Sequence, residues 1–250
     1  MAKVGVIGGS ALETVENLKI SHREMVNTPY GATSSPLLFG KMNGGEIVFI
    51  HRHGFGHTIA PHEINYRANI WALKELEVSH IIATGAVGGI TEHMSPITVV
   101  IPDQIIDYTD SRNQTFYENN QESVVHVDFT WPYDEHLRTI LNSSAVSLGL
   151  PVVSRGTYGA VQGPRLETAA EIKRLERDGC DIVGMTGMPE AALARELGLP
   201  YACCAVVVNR AAGKGRQDEM LLEAIAANMK TAKSSVHKLL AAALPMIMEQ

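Results

Sequence analysis

Three histidines and an arginine crowd into Ile50-His51-Arg52-His53-Gly54-Phe55-Gly56-His57. Groups of this kind are expensive to bury in a core, so the segment predicts a strand end that opens onto a ligand. Two chemistries compete for it. His-x-His is a metal-ligand spacing, and it would make His51 and His53 the ligands of a metal-dependent amidohydrolase. An arginine between them is a planar cationic fork, which suits an oxyanion better than a metal cation. No later strand clearly ends in a matching His or Asp pair, and that favours the oxyanion.

Three further turns follow apolar runs. Gly8-Gly9-Ser10 offers backbone N–H groups and a hydroxyl that can cradle a phosphate, or is simply a tight turn. Gly85-Ala86-Val87-Gly88-Gly89 reads as a Gly-rich turn that lets a ligand approach the backbone closely. Neither supplies the G-x-G-x-x-G fingerprint of dinucleotide binding. In Gly184-Met185-Thr186-Gly187-Met188-Pro189-Glu190, Pro189 and Glu190 suit a first helical turn. Thr186 and Gly187 then precede a helix N-terminus, where free N–H groups attract an anion. Asn209, at the end of the run Tyr201–Val208, and Glu167, at a helix start, read by pattern alone as a strand cap and as helix-end electrostatics.

These positions need a sheet to present them. Val4–Ile7, Ile47–Ile50, His80–Thr84, Thr98–Ile101, Gly156–Val161, Asp181–Met185 and Tyr201–Val208 read as strands, mostly continuous apolar runs of a buried sheet. Glu63–Glu77, Asp134–Ser147, Glu167–Arg177 and Glu190–Leu197 read as helices. Leu221, Ile225, Met229, Ala232, Val236 and Leu239 mark one face of a final amphipathic helix. Ser111–Ser123, with Asn119 and Asn120, is a polar loop long enough to carry a site or an interface. No linker or repeat divides residues 1–250, so the expected fold is a single α/β domain with a mixed sheet.

Composition narrows the partners. The chain has 250 residues, 21 basic and 27 acidic, a net charge of −6, and no basic run, so nucleic acid is not an expected partner. Apolar runs such as Ala202–Val208 are far shorter than a membrane span, and the first residues lack the apolar stretch of a signal peptide. Cys180, Cys203 and Cys204 form no metal or redox spacing and suit buried thiols in a reducing cytoplasm.

The motifs resemble the purine nucleoside phosphorylase family, in the branch of the methylthioadenosine and methylthioinosine phosphorylases. The residues carrying the resemblance are Val6-Ile-Gly-Gly-Ser10, Arg52-His-Gly-x-x-His57-Thr58, Asn65-Tyr-Arg-Ala-Asn-Ile-Trp-Ala-Leu73, Gly163-Pro-Arg-Leu-Glu-Thr168 and Gly184-Met-Thr-Gly-Met-Pro-Glu-Ala191. The resemblance implies a mixed sheet curled toward a barrel and ringed by helices, a homotrimer, and cleavage of a purine nucleoside by inorganic phosphate. It implies no metal and no organic cofactor. It assigns phosphate to Ser10, Arg52, His53, the backbone at Gly85 and Ala86, and Thr186. It assigns ribose to Met185 and the base to Leu166, Glu167 and Asn209. His126 matches a residue that reaches a neighbouring subunit's site, and Met220 or Leu221 would cover the 5′ substituent.

The sequence departs from its relatives in four places. Ser10 replaces a threonine, Gly85 a hydroxyl residue, and Leu166 an aromatic that stacks on the base. Ala211 stands where adenine-specific relatives place a second acid. A 6-oxopurine presents N1–H as donor and O6 as acceptor; ionised Glu167 can only accept, and the Asn209 amide can donate. Adenine would set Glu167 against a lone pair, at a cost of roughly 1–3 kcal/mol. The expected substrate is therefore 5′-methylthioinosine, cleaved to hypoxanthine and 5-methylthioribose 1-phosphate. The alternatives are methylthioadenosine, a general inosine or guanosine phosphorylase, the amidohydrolase above, and a non-catalytic nucleoside sensor.

Overall fold

Strands with no polar face need cover on both sides, and the architecture follows from that need. The computed structural model describes residues 2–10, 12, 18–42, 45–118, 125–215 and 221–249. In chain order the elements begin with β1 (Lys3–Gly8), β2 (Lys19–Glu24), β3 (Asn27–Thr28), β4 (Gly31–Ala32), β5 (Leu37–Met42), β6 (Gly45–His51), α1 (Tyr66–Glu75), β7 (His80–Gly89), β8 (Val99–Val100) and β9 (Gln104–Tyr108). They continue with α2 (Glu135–Ser147), β10 (Val152–Val153), β11 (Thr157–Val161), α3 (Ala169–Arg177), β12 (Ile182–Gly184), α4 (Glu190–Glu196), β13 (Tyr201–Arg210) and α5 (Leu221–Met248).

Among the described residues eleven strands form one sheet, ordered β10-β8-β13-β7-β1-β6-β5-β2. β7 runs parallel to β1 and β13, while β5 runs antiparallel to β6 and β8 to β13, so the sheet is mixed as expected. It branches at the far end of β7, where Gly88 and Gly89 pair antiparallel with β12, which continues to β11 and β9. β3 and β4 pair only with each other.

Period-two alternation divides the core. Along β13, Ala202, Cys204, Val206 and Val208 join a cluster with Leu137 of α2 and Leu239 of α5. Tyr201, Cys203, Ala205 and Val207 face the other way, toward Ile70 of α1 and Leu193 of α4. The adjacent Cys203 and Cys204 thus point to opposite faces, and all three cysteines are free and buried.

All seven expected strands and all five expected helices occur, with shifted ends. The Gly-rich stretch Gly85–Gly89 is not a turn: β7 continues through it, because β13 and β12 supply hydrogen-bonding edges on either side. Glu167 is not helical either. Thr168 caps α3 in a reciprocal capping box with Glu171, so the helix starts at Ala169 and leaves Glu167 on the preceding loop. β2, with the fully exposed sequence Lys-Ile-Ser-His-Arg-Glu, is an edge strand with no apolar alternation to announce it. Asn119, Asn120 and Met220 lie outside the described residues.

Candidate active site

The C-terminal ends of β1, β6, β7 and β13 meet in a cavity of about 200 Å³. Its floor begins at the turn after β1. Arg52 N–H donates to the Gly8 carbonyl (3.0 Å), and Gly9 N–H donates to Thr84 Oγ1 (3.1 Å). A Cβ on Gly9 would lie 2.7 Å from the Thr84 carbonyl oxygen and 2.8 Å from Arg52 Nη1, so close backbone approach requires glycine there.

Arg52 is buried at 2% exposure and does not present a free fork. Nε donates to Glu190 Oε2 (2.6 Å), Nη2 to Glu190 Oε1 (2.7 Å) and Nη1 to the Thr84 carbonyl (2.7 Å). A guanidinium carries five N–H groups, so three bonds leave two for a ligand. Burial works against its charge, but contact with the Glu190 carboxylate outweighs burial and raises its pKa further. Glu190 is itself fully buried and also accepts from Tyr201 Oη (2.8 Å). Sequence pattern gave Glu190 only a first-turn role on α4, because its partner lies 138 residues earlier in the chain. The most buried cation of the site is thus already neutralised.

His53 Nδ1 lies 2.9 Å from the Ile59 carbonyl, which can only accept, so Nδ1 carries the proton. Burial and then the Arg52 charge lower the His53 pKa to about 4, against the pull of the Ile59 carbonyl. At neutral pH the ring is uncharged, and Nε2 is an acceptor. His57 packs on it with ring centroids 4.2 Å apart and adopts a left-handed φ of 58°. Among the described residues no three His, Cys, Asp or Glu side chains converge where a metal could sit.

Further along, Ser10, Gly85, Ala86 and Thr186 line the cavity. A Cβ on Gly85 would meet nothing within 4 Å. Thr186 N–H points to Tyr158 Oη (3.5 Å), and α4 behind it has only seven residues, a short dipole. Met185, Leu166 and Glu167 line the cavity as well. Burial raises the Glu167 pKa above the usual carboxylate range, opposed by its own N–H and by Arg165.

Asn209 reaches the cavity through a bulge. Val207 pairs with Val87 and Asn209 with Gly88, so Val208 is one residue too many, and the side chain after it is re-aimed. Asn209 Nδ2 donates to the Arg210 carbonyl (2.7 Å), leaving one N–H and Oδ1.

Three of the named positions do not line this chain's own cavity; for His126 the resemblance assigned a neighbouring subunit's site instead. Ala211 is buried against Gly88 and absent from the cavity wall. His126 is exposed and outside the cavity of its own chain. Leu221 starts α5 but does not reach the cavity; Ile225 and Met229, one and two turns later, do. Those two were legible only as part of an apolar helix face.

Comparison with known proteins decides the family. The model of the Phosphorylase superfamily matches residues 3–245. The chain belongs to that superfamily. The structure of the Schistosoma mansoni methylthioadenosine phosphorylase in complex with adenine superposes with a TM-score of 0.95 at 33% identity, covering 100% of this chain and 93% of that one. A probable S-methyl-5′-thioinosine phosphorylase of Pseudomonas syringae pv. tomato is 52% identical over 214 residues, 86% of this chain and 87% of the relative. The 6-oxopurine nucleoside phosphorylase of Pyrococcus furiosus is 46% identical over 254 residues, 99% of this chain and 94% of the relative. The protein is thus an enzyme of the purine nucleoside phosphorylase type, a pentosyltransferase.

Proposed function

We propose that the enzyme cleaves 5′-methylthioinosine with inorganic phosphate, releasing hypoxanthine and 5-methylthioribose 1-phosphate, in cytoplasmic purine salvage. The observation that carries this reading is that the Glu167 carboxylate and Asn209, with one amide N–H to spare, line the same cavity. An acceptor and a donor there complement N1–H and O6 or N7 of a 6-oxopurine. The names of the Pseudomonas and Pyrococcus relatives agree with a 6-oxopurine, and the apolar Ile225 and Met229 suit a methylthio group better than a hydroxyl.

In this reading phosphate sits against Ser10, the two remaining Arg52 N–H groups, the Gly85–Ala86 backbone and Thr186. One hydrogen of the bound hydrogenphosphate, or a ribose hydroxyl, donates to His53 Nε2. Met185 lies under the ribose and Leu166 beside the base. A phosphate oxygen attacks C1′ as the C1′–N9 bond breaks, the bond electrons pass into the purine, and the leaving base takes up one proton in balance with the one that hydrogenphosphate gives up. Proximity and the anionic nucleophile stabilise the oxocarbenium-like sugar, while Asn209 donates to the base as it gains charge. Neither a metal nor an organic cofactor takes part; phosphate is the co-substrate.

The assembly is a homotrimer in which His126 serves a neighbour's site. The segment carrying it exposes Val125, Val127 and Trp131, the last at 66%, as a surface for a second copy. Product analysis with a panel of purine nucleosides, with and without phosphate, tests the function. Free base and sugar phosphate must form only when phosphate is present, and base release without phosphate overturns the reading.

A further inference from the structure

Arg112 opens the long polar loop after β9 and has no part in the chemistry above. It follows Ser111, whose left-handed φ of 56° turns the chain inward. Its guanidinium is nearly buried, and among the described residues no carboxylate pairs with it. Carbonyl groups hold it instead. Nη1 donates to the carbonyls of Met185 (2.9 Å) and Met188 (2.6 Å), and Nη2 to those of Gln162 (2.8 Å) and Val161 (3.3 Å). Nε donates to Gln162 Oε1 (3.0 Å), and Nη1 also contacts Tyr66 Oη (3.2 Å), whose hydroxyl donates to Pro61 (2.9 Å).

Every N–H of the guanidinium is occupied, so Arg112 has none left for a ligand. What it joins are two separate walls of the cavity. Met185–Met188 follows β12 and carries Met185 and Thr186; Val161–Gln162 ends β11 and leads to Leu166 and Glu167. The walls touch closely, since a Cβ on Gly163 would lie 2.5 Å from Met185 Sδ. Arg52, Glu190 and Thr84 hold part of the phosphate end without Arg112, while Thr186 sits on the segment that Arg112 holds.

We infer that Arg112 is a positioning residue that locks the base-recognition loop to the sugar-side wall, and so sets base discrimination. The inference rests on the proposed reading of the site. A planar fork spans both walls; a lysine ammonium, a single point with three donors, does not.

The test compares wild type, Arg112→Lys and Arg112→Ala with 5′-methylthioinosine and 5′-methylthioadenosine, and adds guanidinium ion to the alanine variant. The expected result is a nucleoside kcat/KM lowered roughly 10-fold to 100-fold, as for a displaced substrate-positioning group. The ratio between the two bases should collapse toward one, and guanidinium should partly restore it. Where Arg112→Ala is too unstable to purify, Gln162→Ala, which removes one acceptor and leaves the guanidinium in place, is read the same way. A folded variant with an unchanged base ratio overturns the inference. Because the readout is a change in ratio whichever base is preferred, a wild type that favours adenine defeats the base assignment and leaves the Arg112 result interpretable.

Discussion

Arg52 and Glu190 act as a unit, and substitutions at either must be read that way. Glu190→Gln keeps the shape but leaves a buried guanidinium without its counter-charge. Breaking one side of a buried pair costs about 3–5 kcal/mol. The variant should therefore lose that much stability in urea unfolding, and its phosphate KM should rise, because the two N–H groups left for phosphate lose their fixed direction. Unchanged stability would mean that the pair is not closed in solution. His53 gives a pH signature. Its pKa is lowered in the fold from 6.5 to about 4, so the unfolded chain binds more protons in that interval. The stability it contributes is present above pH 6.5 and drains away as the pH falls toward 4. Melting curves across this interval should show a smaller acid-side loss in His53→Gln than in wild type; equal losses would contradict the buried, neutral imidazole.

At the scale of elements, the bulge in β13 carries the most weight. Deleting Val208 would leave Asn209 opposite Gly88 but remove the local kink that aims its side chain into the cavity. The deletion variant should keep a native-like far-UV spectrum and lose nucleoside turnover; retained turnover would show that Asn209 does not need the bulge. No sequence pattern announces this feature, since Val206-Val207-Val208 reads as uninterrupted strand. The same blindness affects the Glu190 pairing and the edge strand β2, each specified by tertiary neighbours and not by local period. What was legible had a local physical cause. Buried parallel strands wrote themselves as apolar runs, and the crowded His51–His57 segment as a candidate site. Ile225 and Met229 pack against the core as their period implies, and they also reach the cavity, which an apolar face does not announce.

For the whole molecule, the proposed trimer makes the site depend on assembly. His126 lies on an exposed segment beside Val127 and Trp131, so a monomer lacks whatever that segment contributes to a neighbour. Trp131→Glu should shift the elution volume in size-exclusion chromatography toward the monomer and lower activity in proportion. A fully active monomer would refute a shared site. The central claim, however, is the polarity of the base end, where Glu167 accepts and Asn209 donates. Its most direct measurement is the ratio of kcat/KM for 5′-methylthioinosine to that for 5′-methylthioadenosine at saturating phosphate. A site built to hydrogen-bond one edge rejects the mismatched one strongly, and even one unpaired buried group, at about 1–3 kcal/mol, amounts to roughly 5-fold to 150-fold. The account predicts a ratio at or above that range in favour of the inosine substrate, and equal or reversed efficiency would contradict it.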